Sequence, residues 1–303
     1  MKTATVSSPQ IVADVADSSR THAADFAELV KARLTSLVLL TTAVGFYLGA
    51  PRPVSYMALL HVVLGAAAAA AGAAALNQWW ERNADALMQR TRARPVPAGR
   101  MRPLEALIVG IVLSIFGIGY LALTCNGLSA TLAAVTIVIY IFAYTPLKRF
   151  STANTLVGAI PGAIPPMIGW AAARGELNAG AWSLFVILFF WQMPHFFAIA
   201  WMYREDYARA GFRMLSIDDN TGTRSSSQSV LFSMLLLIVT GIPAYIGLTK
   251  MIYVPIALAL GGWFVMVAMR FHQRRTLKDA RALFITSILH LPLLLITLVL
   301  TKL

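Results

Sequence analysis

Apolar residues occur in long blocks separated by short charged or turn-rich breaks. Nine blocks can be read, at roughly 34–50, 55–80, 104–124, 129–147, 153–173, 181–203, 229–249, 252–270 and 283–301. Several approach the ~20 residues that cross a hydrocarbon layer as a helix. In lipid only helices and closed barrels satisfy their own backbone. The pattern therefore predicts an all-α membrane protein with nine transmembrane helices. The fifth block carries Gly158, Pro161, Gly162, Pro165, Pro166 and Gly169. Prolines free carbonyls and glycines permit close approach, so this span is expected to be bent or broken, and either lines a cavity or forms a tight small-residue interface. Residues 1–30 are polar, with Ser7, Ser8, Ser18 and Ser19 beside Asp14, Asp17, Asp25 and Glu28. They lack an early apolar core and are too acidic for a transit peptide. They read as a disordered polar cytoplasmic tail, and 31–303 as a single nine-helix domain.

Composition agrees. With 58% hydrophobic and 13% charged residues and a mean hydropathy of +0.69, the chain has too little polar surface for a soluble globule. Placing the N-terminus inside puts every Lys and Arg except Arg52, Arg174, Lys250 and Lys302 on the cytoplasmic side. The positive-inside rule then sets the N-terminus cytoplasmic and, with nine spans, the C-terminus on the other face. The pI near 10.3 thus reflects topology and attraction to anionic lipid, and no nucleic acid is expected as a partner. Cys125 is the single cysteine, which excludes an internal disulfide or thiolate cluster.

Chemistry is concentrated at one end of the second block. Asn77, Glu81 and Asp85 recur at steps of four, so in a helix they share one face with about 6 Å of rise between neighbours. Such a set suits a hard cation such as Mg²⁺, which takes one or two carboxylates and completes its shell with water and phosphate oxygens. Arg90, Arg92, Arg94, Arg100 and Arg102 follow, either to meet the remaining phosphate charge or as topology anchors. Two long connections, 81–103 and 204–228, emerge on the same side, the second opening with Tyr203-Arg204-Glu205-Asp206-Tyr207. Beside them Tyr144-Thr145-Pro146-Leu147-Lys148-Arg149 ends the fourth span, where Pro146 threatens the alignment of Tyr144 with Lys148. Together these segments are expected to close over a central cavity open to the cytoplasmic side. His61 lies far from the acids. His195 and His290 lie roughly 10 to 12 Å below the cytoplasmic boundary, where a neutral imidazole can meet heme iron, a propionate or a neighbouring carbonyl.

These motifs resemble the UbiA-type superfamily of intramembrane prenyltransferases and, within it, the protoheme IX farnesyltransferases, or heme O synthases. Asn77, Glu81 and Asp85 stand in the first acidic motif, followed by Met88, Arg90-Thr91 and Arg94-Pro95. Tyr144 to Arg149, Gly162 to Trp170, Pro194-His195-Phe196 and Tyr203 to Tyr207 with Ala210-Gly211 match further along, and the last three spans match only in number and hydropathy. The chain departs from the family in three places: Glu81 replaces an aspartate, Lys31-Ala32-Arg33 stands for Lys-Pro-Arg, and Ala210 follows Asp206 where the superfamily often has a second aspartate.

The resemblance implies transfer of farnesyl from farnesyl diphosphate to a vinyl group of protoheme IX, with water addition, in a bacterial inner membrane. It implies Mg²⁺ held by Asn77, Glu81, Asp85 and Asp206, and substrate binding by Arg33, Arg90, Arg94, Lys148, Arg149, Arg204 and His195. Tyr144 would present its ring or its hydroxyl to an allylic cation. Heme A synthase or terminal-oxidase assembly proteins would be downstream partners. Two rivals are a prenyltransferase for a quinone precursor or other aromatic acceptor, and a non-catalytic heme-handling or transport protein.

Overall fold

The computed structural model describes residues 21–303, apart from the side chain of Arg33. Eight helices are long and apolar enough to cross a membrane, or nine if a helix pair bent by 54° near residue 30 counts as one span. In chain order the elements are α1 (His22–Leu29), α2 (Ala32–Gly49), α3 (Tyr56–Leu87), α4 (Pro103–Thr124) and α5 (Gly127–Leu147). Then follow α6 (Asn154–Ala163), α7 (Pro165–Arg174), α8 (Ala179–Met202), α9 (Arg204–Arg209) and α10 (Leu215–Asp218). The chain ends with α11 (Thr223–Val239), α12 (Ile242–Tyr245), α13 (Tyr253–Arg274) and α14 (Leu277–Thr301).

Packing inverts the pattern of a water-soluble bundle. On α4 the buried positions include Ala106, Gly110, Ser114 and Gly117, while Ile108, Ile111, Ile115 and Phe116 face outward. Lipid solvates large side chains as well as a protein core does, so small residues form the contact where backbones approach. A Cβ on Gly117 would strike the α3 backbone at Ala69. The same device joins α2 to α7, where side chains at Gly45 and Gly169 would collide with the carbonyls of Pro166 and Thr42. One apolar core gathers α2 to α7, and a larger one gathers α8, α11, α13 and α14.

The fifth span is interrupted at Ile164, where Pro165 and Pro166 begin a new helix. Gln192 enters this break and donates to the Ala159 carbonyl at 2.6 Å, and Gly162 leaves room for it. The seventh apolar block divides into α11 and the short α12 around Thr240 and Gly241. Of the segment read as a polar tail, residues 1–20 lie outside the described residues, and residues 22–29 form the helix α1. Asp25 is buried and accepts from Arg100 Nε at 2.9 Å, and Leu29 is fully buried. At the face opposite the acids, Lys302 donates to the Tyr47 and Ala50 carbonyls at 2.6 and 2.7 Å, and Arg174 to that of Gly49 at 2.7 Å. These cations satisfy the carbonyl end of α2.

Candidate active site

The Ala-rich run of α3 carries the helix through Leu87, so Asn77, Glu81 and Asp85 occupy its last turns on one face, exposed by 1, 6 and 1%. Each buried polar group has a specific partner, as burial demands. Lys31 Nζ donates to Asn77 Oδ1 at 2.8 Å, and Asn77 Nδ2 donates to Thr145 Oγ1 at 3.2 Å. Lys148 Nζ meets Glu81 Oε1 at 2.7 Å, and Arg94 meets Asp85 Oδ2 at 2.7 Å. Asp85 Oδ1 is buried with no hydrogen-bond partner.

A π-helical segment, Ile139–Tyr144, sits inside α5 and stacks Tyr140 on Tyr144 with ring centroids 5.6 Å apart. Helix resumes through Pro146, whose missing N–H falls in a first turn, and Lys148 Nζ lies 4.4 Å from the centre of the Tyr144 ring. Burial alone would lower the Lys148 ammonium, but Glu81 and then the two tyrosines outweigh it and hold the pKa above the ordinary lysine value. Lys31 is pushed down to about 7 by burial and then by the neighbouring Arg94.

These groups line one end of a cavity of about 610 Å³, in which, even without Lys31, the cations Arg90, Arg94 and Lys148 face only Glu81 and Asp85. That excess of positive charge suits an anion bearing several oxygens. The walls then become apolar through Leu34, Leu37, Trp191, Phe196, Phe284 and Leu291. A second compartment of about 350 Å³ adjoins it, sharing Lys31, Tyr140, Tyr144, Trp191 and His195, and reaches Gly158, Pro161, Gly162 and Pro165 of the broken span.

The connections meet at the polar end. Asp206, 7% exposed, accepts from the backbone N–H of Gln89 and Arg90 at 3.3 and 3.2 Å and from the Arg209 guanidinium. Arg90 lies over the Tyr203 and Tyr207 rings at 5.0 and 5.6 Å. Arg213 N donates to the Lys148 carbonyl at 2.6 Å, and Asn154 Nδ2 to that of Arg213 at 2.7 Å.

The structure thus brings Asn77, Glu81, Asp85, Arg90, Arg94, Tyr144, Lys148 and His195 together around the cavity. Of the other expected residues, Asp206, Arg149 and Arg204 do not line it. Asp206 clamps two loops, with both carboxylate oxygens committed. Arg149 lies exposed beyond the turn, and Arg204 is exposed with its guanidinium over Trp201, 4.7 Å from the ring centre. The Arg33 side chain is outside the described part. Lys31, Tyr140, Trp191 and Phe212 line the cavity without having been singled out as site residues, although the Lys31-Ala32-Arg33 motif marked the neighbourhood of the first.

Among the described residues no group of three or more His, Cys, Asp or Glu could enclose a metal ion. The donor set fits Mg²⁺ in another way: an orphaned Asp85 oxygen beside Glu81 and Asn77 suits a cation that completes its shell with water and substrate phosphate.

A family model described as the UbiA prenyltransferase family matches residues 38–291. The chain belongs to this family. Among its relatives, a protoheme IX farnesyltransferase of Solibacter usitatus is 45% identical over 279 residues, covering 89% of this chain and 96% of that protein. Another of the same name, from Opitutus terrae, is 42% identical, covering 94% and 97%. The UbiA fold is shared with a UbiA homolog from Archaeoglobus fulgidus bound to GPP and Mg²⁺, at a TM-score of 0.67 and 17% identity over 90% of this chain and 99% of that one. A digeranylgeranylglyceryl phosphate synthase structure aligns at a TM-score of 0.77 and 14% identity, covering 91% and 97%. The UbiA assignment makes the chain a prenyltransferase and an enzyme.

Proposed function

We propose that the enzyme transfers the farnesyl group of farnesyl diphosphate to a vinyl group of protoheme IX, adds water, and releases heme O and diphosphate. The observation that carries this reading is one cavity with a cation-rich end and a long apolar remainder beside His195. The first suits a diphosphate, and the second suits an isoprenoid and a flat macrocycle. Relatives at 40–45% identity that bear the farnesyltransferase name support the choice of acceptor.

Arg90, Arg94 and Lys148 would bind the diphosphate, Lys148 and Arg94 turning from Glu81 and Asp85 toward the incoming oxygens. Asn77, Glu81 and Asp85 would hold Mg²⁺, and Asp206 would keep the Arg90 loop in place. Mg²⁺ supplies charge stabilisation to the leaving diphosphate. As the C1–O bond breaks, the bonding electrons leave with diphosphate, and the cations gathered on it offset the growing negative charge. The Tyr144 ring faces the resulting allylic cation. The heme vinyl group supplies electrons for the new C–C bond, and water captures the cation left on the former vinyl carbon, losing a proton. Apolar walls keep water from the allylic cation before that bond forms. His195 would meet the heme.

The positive-inside argument puts this polar end on the cytoplasmic side of a bacterial inner membrane, with the N-terminus inside and the C-terminus outside. Terminal-oxidase heme biosynthesis is the setting this activity serves, with heme A synthase or oxidase-assembly proteins as its protein partners. The test is diphosphate release by purified enzyme given farnesyl diphosphate, protoheme and Mg²⁺. Release should cease with EDTA, and Asp85→Asn should remain folded in the membrane yet lose at least ~100-fold in rate. Unimpaired turnover of that variant would overturn the metal assignment, and no diphosphate release by the wild type would overturn the reaction.

A further inference from the structure

His195 is the one histidine lining both compartments of the cavity, and its ring nitrogens are differently placed. Nδ1 lies 2.7 Å from Ser287 Oγ on α14. Ser287 Oγ itself donates to the Phe284 carbonyl at 2.5 Å. A hydroxyl has one hydrogen and two lone pairs. Because that hydrogen is committed to the carbonyl, the contact with His195 must be accepted by Ser287 and donated by Nδ1. Reversing it would leave two acceptor oxygens 2.5 Å apart with no proton between them. His195 is therefore the Nδ1–H tautomer, and Nε2 keeps its lone pair, with no hydrogen bond engaging it among the described residues.

The surroundings hold this arrangement rigid. Trp191 Nε1 donates to the Ser287 carbonyl at 2.9 Å, tying α14 to α8 at the same residue. The imidazole stacks against Trp191 and Phe284, with centroids 5.4 and 5.0 Å away and planes inclined by 22° and 28°. A metal-ligating histidine almost always donates its other N–H to a fixed acceptor, which sets the tautomer and raises the basicity of the ligating nitrogen.

We propose that Ser287 is a positioning residue that fixes the His195 tautomer, so that Nε2 is presented to the cavity as an axial ligand for the iron of a porphyrin acceptor. This rests on the heme reading above. Ser287 need not touch substrate, since it acts through the imidazole. His290 is no substitute ligand: it is fully buried against Phe264 and lines neither compartment.

The experiment titrates the purified full chain with ferric protoheme, without farnesyl diphosphate, and records absorption and EPR spectra, then resonance Raman of the reduced complex. Wild type should show an imidazole-ligated iron, and His195→Ala should lose that signature. Ser287→Ala should weaken heme binding by roughly 10–100-fold and lower the iron–histidine stretching frequency. Ser287→Thr, which keeps the hydroxyl, should restore both while melting at the same temperature as the alanine variant. If Ser287→Ala binds heme with unchanged affinity and spectrum while His195→Ala loses the signature, the positioning role is wrong and the heme reading stands. If His195→Ala keeps the wild-type spectrum, the ligand assignment fails. A wild type that binds no heme would overturn the acceptor reading itself.

Discussion

Lys148 has two partners at once, the Glu81 carboxylate at 2.7 Å and the face of the Tyr144 ring at 4.4 Å. Removing one member of a buried ion pair leaves the other charge stranded, at a cost of about 3–5 kcal/mol. Lys148→Met should therefore lower the melting temperature and stop turnover. Adding Glu81→Gln should recover much of the melting temperature without recovering turnover, because the diphosphate cation is still missing. Melting curves and diphosphate release check this, and a single variant with wild-type values for both would contradict it. At this scale Asn77, Glu81 and Asp85 were legible in the sequence because their spacing matches the helical repeat. Lys31 was not, because its reach to Asn77 depends on a left-handed backbone, φ 49°, between two helices. Nor was the clamp made by Asp206, since nothing in a carboxylate's identity tells whether it will face a cation or the backbone N–H groups of a distant loop.

The break between α6 and α7 is an element whose sequence announced it, since two consecutive prolines lack the N–H groups a continuous helix needs. The π-helical segment of α5 left no such mark; at its end the Thr145 N–H and hydroxyl both donate to the Tyr140 carbonyl. The helix α1 was also hidden, because a short polar segment acquires order only from what it docks on. Its C-terminal carbonyls, Glu28 and Leu29, accept from Gln78 Nε2 at 2.8 and 2.9 Å. The next residues carry Lys31 into the cavity. Gln78→Ala strands the Leu29 carbonyl at a cost of about 1–3 kcal/mol, while Glu28 keeps the bond from the Lys31 N–H. It should expose the 29–33 segment to limited proteolysis and raise KM for farnesyl diphosphate several-fold, with a smaller change in kcat. Unchanged protease resistance and KM would mean that α1 does not set the position of Lys31.

For the whole molecule, the hydropathy blocks anticipate the bundle, with the first, 34–50, falling on α2; the sharp bend where α1 meets α2 leaves the count at eight or nine. Hydropathy registers length and apolarity, and a bend at Lys31 changes neither. The charge asymmetry predicts on which side each connection lies. Cys125, between α4 and α5, should react with a membrane-impermeant maleimide from the periplasmic side, whereas Cys125→Ser combined with Arg92→Cys should react only in inverted vesicles. The reverse pattern would invert the topology. The central claim, that a prenyl diphosphate and a porphyrin share one cavity, is tested most directly by mass spectrometry of heme extracted after incubation with protoheme, farnesyl diphosphate and Mg²⁺, with an EDTA control. A metal-dependent mass gain of one farnesyl plus one water is the predicted result. Unmodified heme alongside a prenylated aromatic acid would contradict the acceptor while leaving the fold and the diphosphate end of the cavity as described.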